Sequence, residues 1–142
     1  MAALERLAAA VPVVLVTDGN PRIQLGKVAA LGLDGVIAHV VVSDTLGGRA
    51  FRKPHPAPFE RALALLDLPA SDVVHVGDRS GKDVAGASGV GMRAIRVRTG
   101  EYAGQPDPDD LRPWRTAVDL AEAVDLLMPL VTREQDGAPA RL

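Results

Sequence analysis

The sequence predicts an α/β fold, a three-layer αβα Rossmann-like domain built on a parallel sheet. Three observations carry this reading. Apolar runs rich in β-branched residues recur at 11–16, 35–43, 71–78 and 92–97, and runs without polar alternation mark strands buried on both faces. Segments with helical periodicity separate them. Glycine, proline and asparagine punctuate the junctions. Strands of this kind alternating with helices form parallel sheets covered on both sides.

The elements follow in order. The opening, MAALERLAAAVPVVLV, has a short apolar run, but Glu5, Arg6 and Pro12 interrupt it. It fits neither a signal peptide with a basic start nor a membrane span of ~20 apolar residues. A cytoplasmic protein is expected, with no membrane partner. VPVVLV at 11–16 is the first strand, stopped by TDGNP. Residues 22–32 carry Ile23, Val28 and Leu31 at helical spacing; Asn20 and Pro21 open this helix and Gly32 closes it. GVIAHVVVS at 35–43 is the second strand. Residues 56–67 put Phe59, Ala62, Leu63 and Leu66 on one helical face. SDVVHVGD at 71–78 is the third strand, running into a glycine turn. Residues 81–90 form a helix of small residues, and MRAIRV at 92–97 is the fourth strand. Residues 100–113 read as loop. Residues 116–131 form a helix ending near Pro129. The domain is expected to span 1–131, with 132–142 as a frayed, flexible tail.

Composition narrows the function. A chain of 142 residues with 47% hydrophobic and 24% charged residues supports one domain with a sizeable core. Sixteen basic and eighteen acidic side chains give a net charge of −2, which supplies no electrostatic reason for nucleic-acid binding. The absence of cysteine excludes disulfides, thiol catalysis and zinc–thiolate sites. Aromatics at 3% argue against stacking platforms.

In a parallel sheet, ligands bind at the carboxyl ends of the strands. After the first strand come Thr17, Asp18, Gly19 and Asn20. A hydroxyl followed by free amides before a helix forms an anion cradle; the same residues also fit a plain turn with Asn20 as cap. Lys53 lies in RKPHPAPFE (52–60), stiffened by prolines. An ammonium held there could neutralise a phosphoryl group and a carboxylate together, or be a solvated loop lysine. Asp78 directly follows the third strand and Asp83 comes five residues on. Two carboxylates around a glycine turn suit Mg²⁺, and equally suit a turn residue and a helix N-terminal charge. His55 reads as loop surface and His75 as a core-strand residue. Arg93, Arg96 and Arg98 read as solvated strand ends.

The ordered set resembles a known family. VVLVTDGN, RKPHPAPFERAL and VVHVGDRSGKDVAGASGVGMRAIRV look like motifs II, III and IV of the haloacid dehalogenase (HAD) superfamily. The text between them is similar to its phosphoglycolate phosphatase-like branch. The resemblance runs from about residue 4 to 130. It implies that Thr17, with Asp18 and Gly19, binds the transferring phosphoryl group. Lys53 would steady the phosphate and the nucleophile's charge, and Asp78 would bind Mg²⁺, with Asp83 as second ligand or outer support. It implies hydrolysis of a small phosphorylated metabolite through an aspartyl-phosphate. Asp18 departs from the family's usual asparagine.

The family's motif I, DxDx(T/V), carries the nucleophile, and no aspartate precedes Asp18 here. TDGN is not an altered motif I: Val16 would take the nucleophile's place, and Lys53 and Gly77-Asp78 follow Thr17 at the distances expected after motif II. No cap domain is recognisable either. The chain thus resembles the carboxyl-terminal part of a HAD core lacking its first, central strand, and by itself it should be inactive. The family's strand order is 5-4-1-2-3, which places strand 1 between strands 2 and 4. Unpaired edges there would cost ~1–3 kcal/mol per unsatisfied group, against a total stability of ~5–15 kcal/mol. Strands 2 and 4 could close directly, a partner chain or self-association could supply the strand, or the sequence could be part of a longer protein. A non-catalytic binding or assembly module and a haloacid dehalogenase relative are the alternative readings.

Overall fold

The computed structural model describes residues 1–135 and 137. Helix α1 (Ala2–Ala8) leads into β1 (Val14–Thr17), α2 (Pro21–Ala30) and β2 (His39–Val42). A short helix α3 (Asp44–Gly47) and a tight turn precede α4 (Pro56–Leu66). Then come β3 (Val74–Gly77), a wide π-type turn at Ser80–Val84, α5 (Ala85–Gly89) and β4 (Arg93–Val97). Strand β5 (Arg115–Ala117) and α6 (Leu120–Gln135) complete the described chain.

All strand pairs are parallel, as doubly buried runs require. They form two sheets, β1–β2 and β3–β4–β5. Among the described residues β1 pairs only with β2, and β3 has no partner but β4. Direct closure of the first strand on the third does not occur. The cost shows as exposure: every residue of β1 and of β3 is only half-buried, whereas four of the five in β4 are buried.

The side-chain alternation of β4 builds the layers. Ile95 and Val97 face a core of Leu7, Ala117, Ala123, Val124 and Leu127, supplied largely by α1, β5 and α6. Ala94 faces the other core, where Phe59 of α4 packs with Val84, Ala87 and Met92. A salt bridge from Arg6 to Asp125 ties α1 to α6.

Several elements differ from expectation. Residues 116 and 117 are strand, paired with Arg96 and Val97, and the helix starts at Leu120. Asp119 caps it, its carboxylate accepting from the Glu122 amide at 2.9 Å. The helix runs through Pro129 to Gln135: a proline removes one donor and bends a helix, but an apolar face already buried at Val124 and Leu127 holds the next turn in place. The tail expected from residue 132 therefore begins inside α6, and residues 136 and 138–142 lie outside the described residues. In α2 only Val28 is buried, while Ile23 and Leu31 are exposed at 57% and 62%. No described helix is long and apolar enough to cross a membrane.

Arg96 is not a solvated strand end. It is 1% exposed, ion-paired to Asp107 at 2.5 Å and donating to the Tyr102 carbonyl at 2.9 Å. Arg98 joins Asp107 at 3.0 Å and Ser80 Oγ donates to it at 2.7 Å. The 100–113 segment is thus pinned over the carboxyl end of β4. Burial alone would raise the Asp107 carboxyl pKa, but Ser80, Arg96 and Arg98 hold it below its ordinary value.

Gly86 is where α5 touches α4. A Cβ there would lie 2.2 Å from Phe59 Cε2, and Phe59 is fully buried. Helix propensity favours alanine by ~1 kcal/mol, while overpacking costs ~1–3 kcal/mol. Gly86→Ala is therefore expected to lower the urea midpoint, whereas Gly89→Ala, which meets nothing within 4 Å, should not.

Candidate functional site

Strands β1 and β3 end beside one another because side chains, not a backbone ladder, join them. Lys53 makes the join. Its ammonium donates to Asp83 Oδ1 at 2.8 Å and lies 3.4 Å from the Val16 carbonyl of β1. The Lys53 side chain is 14% exposed and that of Asp83 5%.

Asp83 is the most constrained acid of the group. His75 Nε2 lies 2.9 Å from its Oδ1, and the Arg79 amide donates to Oδ2 at 3.1 Å. Burial would push its pKa up, but the His75 hydrogen bond and the Lys53 charge hold it well below the ordinary carboxylate range. Gly77 makes this possible: a Cβ at 77 would stand 2.3 Å from Asp83 Cγ.

The turn after β1 is tied just as closely. Asp18 Oδ1 accepts from Ser43 Oγ at 2.8 Å and from the Lys53 amide at 3.1 Å, while Oδ2 faces Lys82 Nζ at 3.3 Å. Thr17 Oγ1 donates to Gln24 Oε1 at 3.0 Å. Gly19, at φ +123°, gives its amide to Asp44 Oδ1 at 3.3 Å. That amide, expected to face a ligand, already serves a carboxylate of the chain. Asp44 is in turn gripped by Arg52 through Nε at 2.7 Å and Nη2 at 2.8 Å. This guanidinium holds the Asp44 carboxyl down at about 2. The bidentate pair fixes the segment immediately before Lys53.

Asp18, Lys53 and Asp83 therefore meet at one mouth, and Thr17 adjoins it in sequence with its hydroxyl turned to Gln24. Asp78 occupies the turn whose next amide, that of Arg79, holds Asp83; its own carbonyl lies 3.4 Å from Arg96 Nε. Its carboxylate is half-buried and carries no hydrogen bond among the described residues. A surface hollow of about 250 Å³ lies elsewhere, against β2 and α4, lined by His39, Thr45, Leu46, Arg61 and Leu65 among others; none of these belongs to the mouth.

Sequence reasoning missed five residues. His75 was a lone histidine in a strand, with nothing to show that Asp83 would reach it. His55 is not loop surface: its Nδ1 accepts the Ala57 amide at 3.0 Å, capping α4, and its ring lies 4.5 Å from that of Phe51. Lys82 lies inside the block that resembles motif IV, but nothing in that block marked it as reaching Asp18. The Asp44–Arg52 pair, eight residues apart across a glycine-rich turn, has no periodic signature.

The donor chemistry can be tested against Mg²⁺. That ion takes oxygen ligands near octahedral geometry, keeps several waters, and needs one or two protein carboxylates. Asp78 offers one uncommitted carboxylate. Asp83 has both oxygens engaged, which suits an outer support. No described group of three or more His, Asp or Glu residues could hold a metal ion alone. Asp78 is thus the residue that could hold such an ion, with water and substrate oxygens completing its shell.

Likenesses to known proteins bear on this arrangement. A family model described as HAD-hydrolase-like matches residues 50–123. A glyceraldehyde 3-phosphate phosphatase from Pyrococcus furiosus is 39% identical over 89 residues, 63% of this chain and 36% of that protein. The crystal structure of a 2-haloacid dehalogenase from Pseudomonas syringae pv. tomato superposes with a TM-score of 0.74 at 32% identity, covering 95% of this chain and 52% of that one. A HAD phosphatase from Thermococcus onnurineus gives 0.73 at 26% identity, over 90% and 56% of the two chains. The chain spans about half the length of these structures and about a third of the Pyrococcus protein.

Removing the Lys53 charge leaves Asp83 buried against fewer partners. Lys53→Met is expected to destabilise the fold by ~3 kcal/mol, the lower end for breaking a buried pair, because His75 and the Arg79 amide remain. The depressed Asp83 pKa means the native state binds fewer protons than the unfolded chain, whose aspartates titrate near ~3.9. Its stabilisation is complete above that value and is lost as pH falls towards the folded one. Acid unfolding followed by circular dichroism should thus begin at higher pH in Lys53→Met than in the parent.

Proposed function

Because the chain belongs to the HAD-like hydrolases, we propose that its site hydrolyses small phosphate monoesters with Mg²⁺. A strand lying between β1 and β3 would supply the aspartyl nucleophile. The observation that supports the reading is the Lys53 ammonium, fixed between the Val16 carbonyl of β1 and Asp83.

Each residue then has a task. Lys53 holds the phosphoryl oxygens and the nucleophile's carboxylate near one positive charge. Asp83 and His75 keep that ammonium in place. Thr17 turns its hydroxyl from Gln24 to a phosphoryl oxygen and fixes the orientation of the group. Asp78 would anchor Mg²⁺, which when bound neutralises charge on the phosphoryl oxygens. The nucleophile cannot come from residues 1–17, whose one carboxylate, Glu5, lies in α1. The partly exposed β1 and β3 leave a place for a strand that carries it.

A second reading, dehalogenation, is favoured by the likeness to the Pseudomonas dehalogenase. It shares the lysine and the nucleophile but needs no metal. Chloride release from a 2-haloacid, independent of Mg²⁺, would select it over the phosphatase.

The test uses p-nitrophenyl phosphate with Mg²⁺. The chain alone should show no turnover. The chain extended at its amino terminus by a strand bearing DxDxT should turn over, and Lys53→Ala or Asp78→Ala should reduce kcat/KM by roughly 100-fold or more. Turnover by the chain alone that is lost in Lys53→Ala would contradict the proposed source of the nucleophile.

A further inference from the structure

The Asp18–Lys82 pair has no part in the chemistry described so far, although it stands at the mouth. Asp18 comes from the end of β1 and Lys82 from the wide turn after β3, 64 residues on. The pair crosses between two sheets that no backbone ladder joins. The two lysines at this mouth differ in freedom. Lys53 is 14% exposed and bonded at 2.8 Å. Lys82 is 31% exposed and stands 3.3 Å from its carboxylate, longer than the ~2.7–2.9 Å of a tight charge-assisted bond. Asp18 is the immobile member: its Oδ1 is held by Ser43 Oγ and the Lys53 amide, and its Oδ2 sees only Lys82 among the described residues.

A carboxylate at this position is a problem for an anion site. It adds a fixed negative charge beside Thr17, where a phosphoryl dianion would sit. Lys82 removes the conflict. An ammonium has three donors on a flexible stem, so it can keep Asp18 and offer another N–H to a phosphoryl oxygen. We propose that Lys82 is a second phosphate-binding residue of this site, a cationic wedge between Asp18 and the bound dianion. Asp18 is then its positioning residue. This inference rests on the phosphate site of the preceding section and adds to it a residue outside the motif set of Thr17, Lys53 and Asp78.

The coupling sets the order of affinities. Lys82→Met strips the wedge and leaves Asp18 facing the anion. Asp18→Asn removes the repulsion and frees Lys82. The double variant loses both charges and should fall between the two single ones. The experiment titrates the full chain with inorganic phosphate, followed by ³¹P nuclear magnetic resonance, with circular dichroism confirming that each variant is folded. Lys82→Met should weaken binding roughly tenfold or more, Asp18→Asn should tighten it, and Asp18→Asn/Lys82→Met should recover much of the loss seen in Lys82→Met. Parental affinity in Lys82→Met, with binding still abolished by Lys53→Ala, overturns the Lys82 assignment and leaves the phosphate site standing. A double variant as weak as Lys82→Met overturns the role of Asp18. Absence of phosphate binding in the parent chain overturns the site and the inference together.

Discussion

One buried ion pair organises the functional end of this protein. The Lys53–Asp83 contact joins the segment before α4 to the turn after β3, and the same ammonium reaches the Val16 carbonyl of β1. A charge this buried is tolerable only if it is paired and its remaining valences are used. Here they are: His75, the Arg79 amide and Lys53 occupy both oxygens of Asp83. Among the described side chains with polar atoms shut off from solvent, none lacks a partner. The geometry of the mouth follows from satisfying these groups.

Support for the pair is layered behind it. Gly77 is the floor that lets Asp83 approach the strand. Arg52 and Asp44 lock the chain just before Lys53. The 100–113 segment, held by Arg96, Arg98 and Ser80 on Asp107, closes over the turn that carries Asp78. Arg79 stacks on Tyr102 with its guanidinium carbon 4.2 Å from the ring centre, tying the same turn to the same segment. The site is thus held by residues from four separate stretches of chain, and most of its ties join residues distant in sequence.

That distribution explains what could be read from the residues. The parallel α/β architecture was legible because doubly buried strands leave continuous apolar runs. The meeting of Lys53 with Asp83 was legible because strand ends in such a sheet share one edge. Strand β5 was not, since Arg115, Thr116 and Ala117 form no apolar run and owe their conformation to β4. Arg96 was misread because strand alternation does not tell which face is solvent. Its partner Asp107 lies in a proline-rich stretch that looks like free loop. His75 and Lys82 act only through partners eight and sixty-four residues away, and local pattern carries no trace of either contact.

The separation of the sheets is the other constraint. Backbone pairing stops at β1 on one side and at β3 on the other, and the half-burial of both strands marks the interruption. Polar side chains bridge it at the carboxyl end, where the mouth lies, and Val11 and Val13 pack with Val74 and Val76 in the shared apolar core. The most direct measurement is a crystal structure of the chain soaked with tungstate, a heavy phosphate mimic. The account predicts the anion within hydrogen-bond distance of both Lys53 Nζ and Thr17 Oγ1, with Lys53 still paired to Asp83. Tungstate bound elsewhere, with the Lys53 side chain turned out to solvent, would contradict it.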